Sequence, residues 1–180
     1  MIREIVIYGD PVLRAKGKRV DKVDDEIRAL AADMLETMHD AKGVGLAAQQ
    51  VGLPLQLTVI DISDAENRPS QMWVNGEEVD PKERMPLILL NPELELSEEI
   101  EIGTEGCLSF PELTAEIPRA AKVKVKAQDL DGKNVEFEAA GLLGRAIQHE
   151  NDHLNGILFI DRMSSAAKAS LSGKLKRLTR

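Results

Sequence analysis

Apolar positions along this chain switch between helical and strand spacing. Between residues 25 and 40, Ile27, Leu30, Ala31, Met34, Leu35 and Met38 recur every three or four positions behind the acidic start Asp24-Asp25-Glu26. This spacing predicts an amphipathic helix, with Gly43 standing where a C-cap would. LQLTVIDIS (55–63) is rich in Leu, Val and Ile and predicts a strand. From Leu87 the pattern is β: LILLNPELEL, EEIEIG and AKVKVKAQDLDGKNVEFEAA follow, with Val123, Val125 and Ala127 alternating with lysines and Asp131-Gly132 marking a turn. GLLGRAIQHENDHLNGILF (141–159) returns to helical period. Residues 164–180 predict a C-terminal helix whose Lys174, Lys176 and Arg177 suit the negative end of the helix dipole. Residues 63–86 are polar, carry Pro69, Pro81, Pro86 and an Asn75-Gly76 turn signal, and are expected on the surface. Trp73 within them reads as a local anchor. The sum is an α+β fold, a mostly antiparallel sheet packed around a central helix, with an N-terminal and a C-terminal helix.

Composition narrows the functional classes. A chain of 180 residues with 43% hydrophobic content suits one domain with a substantial core. A net charge of -8 offers no broad basic surface, so a direct nucleic-acid substrate is not expected. One cysteine permits no intramolecular disulfide, which suits a reducing compartment. MIREIVIYGD lacks the apolar run of a signal peptide, and nothing later is long enough to span a bilayer. The expectation is a bacterial-type cytoplasmic monomer with no membrane partner.

Two of only three histidines lie in QHENDHLNG (148–156). At about 100° per residue, His149, Glu150 and His153 share an arc with Leu142, Leu143, Ala146, Ile147 and Leu154, while Gly144, Arg145, Gln148, Asn151 and Asp152 lie opposite. A charged carboxylate on the apolar, core-facing side is costly unless something satisfies it. A divalent metal would: histidines four apart chelate one ion, the intervening Glu reaches its water, and zinc-type ions lower the pKa of that water from about 15.7 to about 7. The bland alternative is a helix with two hydrogen-bonded histidines. A third ligand is needed, yet the position three residues beyond Gly156 is Phe159, which weakens a zinc-protease reading. His39, at the end of the first helix, reads as a surface or capping residue. Cys107, directly after Gly106, would complete a His2Cys set with an open position, although a lone cysteine is otherwise an inert core residue.

Three stretches, GVGLAAQQVG (43–52), EGCLSF (105–110) and QHENDHLNGILF (148–159), together with YGDPVLR and IPRA, resemble the signature and flanking segments of the peptide deformylase family. The resemblance covers most of the chain in the expected order. It implies that Cys107, His149 and His153 are metal ligands and Glu150 the general base. It also implies that Gln50 and the backbone N–H of Leu108 stabilise the oxyanion of the tetrahedral intermediate. The reaction implied is removal of the formyl group from the N-terminal formylmethionine of new polypeptides, releasing formate. Ferrous iron is implied in the cell, and zinc or nickel could replace it in a purified sample.

Small residues at Gly43, Gly45, Ala47 and Ala48 suit a loop lying against an extended peptide, or equally tight packing between helix and strand. Gly106 belongs with Gly43, Val44 and Gly45 in the expected substrate surface, and Val44, Leu142, Ala146 and the His149 ring are expected to line a methionine pocket. Glu105 and Arg119 are either an ion pair bracing the Cys107 loop or solvated charges. Two features depart from the family pattern. Gln49 stands where proline is common, and residues 63–86 look longer than in compact members, as a lid, a partner surface or a neutral insertion. The basic C-terminal helix could dock on a ribosome. Beside an active deformylase stand two alternatives, a related amidase or peptidase and a non-catalytic peptide-binding module.

Overall fold

The computed structural model describes residues 1–179. Helix α1 spans Asp25–Asp40 and starts where Asp24 accepts a hydrogen bond from the Ile27 backbone N–H at 2.9 Å, with Asp25 and Glu26 in its first turn. Its end differs from expectation. Lys42, not Gly43, takes the left-handed conformation (φ 58°), and the N–H groups of Lys42 and Gly43 bond back to the carbonyls of His39 and Met38. Gly43 is small for another reason: a Cβ there would stand 2.7 Å from Leu108 Cδ1.

Nine strands follow: β1 (Gly45–Ala47), β2 (Leu57–Ile60), β3 (Ser70–Val74), β4 (Glu77–Val79), β5 (Leu87–Leu96), β6 (Ile100–Cys107), β7 (Phe110–Ala120), β8 (Lys122–Gln128) and β9 (Asn134–Ala140). They form two antiparallel sheets rather than one, a seven-stranded sheet in the order β1-β2-β5-β8-β9-β3-β4 and a separate β6-β7 ribbon. The alternation read in β8 holds, since Val123 and Val125 are buried among more exposed lysines.

Residues 63–86 are not merely a surface insertion. Their Asn75-Gly76 turn joins β3 to β4, β3 pairs with β9, and Met72 is 3% exposed in the main core. The prolines that suggest a loop bracket the two strands without interrupting them. Trp73 anchors locally, with Lys122 Nζ 4.1 Å from its ring centroid.

Helix α2, Gly141–Leu154, lies against the main sheet through Leu142, Leu143, Ala146 and Ile147, which pack with Val123, Phe137 and Met72. Its opposite arc is buried as well, because the β6-β7 ribbon covers it: Arg145, Gln148 and Asp152 are each less than one-tenth exposed. A second core joins Phe110 and Ile117 of β7 to Phe159 and Leu175, and a third packs α1 on β1 and β2. The expected C-terminal helix is broken at Leu171 into α3 (Ser165–Ser170) and α4 (Ser172–Leu178), where Ser170, Ser172 and Gly173 cluster weak helix formers. Arg180, the last residue of that expected helix, lies outside the described residues. No described helix is long and apolar enough to cross a membrane.

Candidate metal centre

Helix α2 places His149 and His153 one turn apart, their ring centroids 5.0 Å apart, both buried. Strand β6 delivers Cys107 to them from the other side. One ligand atom from each of Cys107, His149 and His153 lies within 4.8 Å of the others, and Cys107 Sγ stands 3.3 Å from His153 Nε2. An ion bound at about 2.0–2.3 Å from nitrogen and sulfur donors bridges atoms so spaced. The donor chemistry fits too, a thiolate with two imidazoles. Among the described residues this is the one such grouping of His, Cys, Asp or Glu.

Among the described residues three buried side-chain polar atoms have no partner, Gln49 Oε1, Glu150 Oε1 and His153 Nδ1, and the last two belong to this centre. Burial drives the His153 pKa well below the ordinary histidine range, which keeps the ring neutral as a ligand must be. Burial likewise pushes the Glu150 carboxyl up to about 7, the value of a group that can both take and give a proton near neutrality. Glu150 reaches the site because Gly45 has no side chain: a Cβ there would lie 2.5 Å from Glu150 Oε2.

Glu105 and Arg119 are an ion pair, and one more deeply embedded than either sequence alternative implied. Arg119 Nε and Nη2 each donate to Glu105 at 2.9 Å, Arg145 Nη1 donates at 2.8 Å, and His149 Nδ1 lies 2.8 Å from Glu105 Oε1. Burial opposes the charge on Glu105, but bonds from His149 and Arg119 outweigh it and hold the carboxyl at about 2. An ionised Glu105 can only accept, so it fixes the proton of His149 on Nδ1 and leaves Nε2 free for an ion. Arg119 Nη1 continues the network to Asp152, which Arg162 also grips.

Gln50 is 1% exposed and held at both ends of its amide. Its Oε1 accepts from the Ala47 N–H at 2.9 Å, while Nε2 donates to Ser109 Oγ at 3.1 Å and faces Cys107 Sγ at 3.6 Å. Gln49 turns away instead. Its Nε2 lies 3.3 Å from the carbonyls of Ala15 and Leu154, tying the segment to the end of α2. His39 is no part of the centre; it pairs with Asp61 at 3.0 Å, half exposed.

A cavity of about 640 Å³ opens onto this centre. Gly43, Val44, Gly45, Gln50, Gly106, Leu108, Leu142 and Ala146 all line it, as do His149, Glu150 and Cys107. Residues that the sequence reading did not single out also belong here: Phe110 and Leu113 on the wall, Arg145, and Arg68 from the β2–β3 connection. No local motif marks Arg68. Arg145 stands one turn before His149, but the helical phase grouped it with the polar arc opposite the histidines and so gave it no part in the site.

Known proteins resemble this chain in sequence and in fold. The sequence profile of the polypeptide deformylase family matches residues 2–169. A peptide deformylase of Methylacidiphilum infernorum is 49% identical over 180 residues, covering 100% of this chain and 94% of that relative. The structure of the peptide deformylase from Thermus thermophilus superposes with a TM-score of 0.84 at 38% identity, covering 99% of this chain and 98% of that one. That from Thermotoga maritima gives 0.78 at 41% identity, covering 91% and 99%. Profile, relatives and fold extend over nearly the whole length, and on that ground this chain belongs to the polypeptide deformylase family.

Proposed function

We propose that the cavity is where this chain performs its family's reaction, removing the formyl group from the N-terminal formylmethionine of newly made polypeptides and releasing formate. In this reading residues 1–180 form a single catalytic domain. The observation that carries the reading is the convergence of Cys107, His149 and His153 beside the buried Glu150, whose Oε1 has no partner, next to a cavity of about 640 Å³ that Cys107, His149 and Glu150 line. Cys107, His149 and His153 would hold one divalent ion, which supplies Lewis-acid charge at the formyl carbonyl and lowers the pKa of water. Glu150 takes a proton from the attacking water and hands it to the leaving amine. Gln50 Nε2 and the Leu108 backbone N–H donate to the oxygen that gains charge in the transition state. The methionine side chain packs against Val44, Leu142, Ala146 and the His149 ring, and the peptide lies along Gly43, Gly45 and Gly106.

Ferrous iron is the ion we assign in the cell, with zinc or nickel its replacements in purified protein, because nitrogen and sulfur sites generally bind those metals more tightly than ferrous iron. The working form is taken to be a cytoplasmic monomer. Exposed Lys174, Lys176 and Arg177 on α4 supply the surface assigned to transient ribosome contact, where substrate emerges. Metal analysis tests the centre: we expect one equivalent per chain, lost on Cys107→Ala and His153→Ala. Full metal content in both variants would overturn the ligand set.

A further inference from the structure

We infer that Arg145 is a positioning residue of the metal centre: seated on Gly103, it locks the strand that carries Cys107 against the helix that carries His149 and His153. The inference rests on the ligand set proposed above, which is divided between two elements, β6 and α2. Something must fix their relative position to a fraction of an ångström.

Arg145 leaves α2 one turn before His149, 9% exposed. Its Nη1 donates to Glu105 Oε2 at 2.8 Å and to the Ile117 carbonyl at 2.7 Å, and Nη2 donates to the Glu101 carbonyl at 2.9 Å. One guanidinium thus spans two positions of β6 and one of β7. Gly103 lies midway between Glu101 and Glu105 on the same face of the strand. A Cβ at Gly103 would stand 2.9 Å from Arg145 Cζ and Nε, so the guanidinium rests directly on bare backbone. Cys107 follows two residues beyond Glu105, at the end of the strand.

Charge is not what Arg145 adds. Arg119 already gives Glu105 two hydrogen bonds, and Asp152 is served by Arg119 and Arg162. The contacts peculiar to Arg145 are its two carbonyl bonds, which fix geometry. A lysine would keep the charge but could not reach three acceptors from one planar fork.

The cobalt-loaded enzyme provides a test independent of turnover, through the thiolate-to-cobalt absorption band and the rate of cobalt loss to excess EDTA. Arg145→Lys and Gly103→Ala are each expected to shift the band and speed cobalt loss roughly 10-fold or more, with far-UV circular dichroism unchanged. Because both act through one contact, the double variant should be no worse than the more affected single one. Wild-type band and loss rate in Arg145→Lys would overturn the proposal, and so would additive effects in the double variant. Cys107→Ser separates the two layers: if it keeps the band, the ligand set falls and the proposal with it. If it loses the band while Arg145→Lys behaves as wild type, only the proposal falls.

Discussion

Glu105 and Glu150 both lie beside His149, and their surroundings drive them in opposite directions. Donors surround Glu105 and hold it ionised, whereas Glu150 is buried with one oxygen unpartnered and sits at about 7. Composition could not distinguish these two carboxylates; the HExxH spacing singled out Glu150, while Glu105 stayed open between an ion pair and a solvated charge. The family resemblance alone pointed to Gln50, and nothing pointed to Ser109 as the acceptor of its amide, because no spacing links residues 50 and 109. Gln50→Leu is expected to lower kcat by about 10²–10³ with little change in KM. Unchanged kcat in steady-state assays would remove Gln50 from the oxyanion role. Ala146→Phe should abolish the preference for methionine in a panel of formylated peptides, and an unchanged preference would move the pocket elsewhere. Away from the site, burial raises the Asp161 carboxyl pKa, but the hydrogen bond from Arg14 outweighs it and the net shift is downward. A lowered folded pKa contributes stability above the unfolded value of about 3.9 and loses it as pH falls through the folded value. Asp161→Asn should therefore cost about 0–1 kcal/mol at pH 7, and the gap to wild type should close in urea melts at acid pH.

At the scale of elements, α1, β8 and β9 were readable because each buries one face and exposes the other, and β5 because its run of Leu and Ile marks a strand although Leu89 and Leu90 are both buried. Helix α2 was harder. Its periodicity placed the histidines correctly among Leu142, Ala146 and Leu154, but its polar arc is buried under the β6-β7 ribbon, where polar side chains find polar partners. Gln148 illustrates the point, since its amide bonds both the N–H and the carbonyl of Ala120 on β7. A sequence pattern reports polarity, and here polarity did not mean solvent. Strand β7 escaped notice because Pro111 and Pro118 interrupt it, and β3-β4 because its prolines resemble loop punctuation. Arg119→Ala leaves Glu105 and Asp152 short of a buried cation and should destabilise the fold by about 3–5 kcal/mol in urea unfolding. Met72→Ala should cost about 2–5 kcal/mol; a neutral result would return residues 63–86 to the status of a surface insertion.

On the scale of the whole molecule, the two sheets clasp one helix, and Cys107, His149 and His153, the proposed ligands, converge where ribbon and helix meet. Metal binding and folding are therefore linked, since an ion held only by the folded chain stabilises it by about 2.7 kcal/mol at one hundred times its dissociation constant. Anaerobic formate release from a formyl-Met tripeptide by the ferrous enzyme, set against hydrolysis of the acetyl-Met counterpart, tests the proposed reaction. Glu150→Ala, loaded with the same metal, is assayed alongside. Rapid release is expected from the formyl peptide only, lowered about 10²–10⁴-fold in the variant at equal metal content. Equal rates on both peptides, or a fully active variant, would contradict the proposed reaction or the role of Glu150 in it.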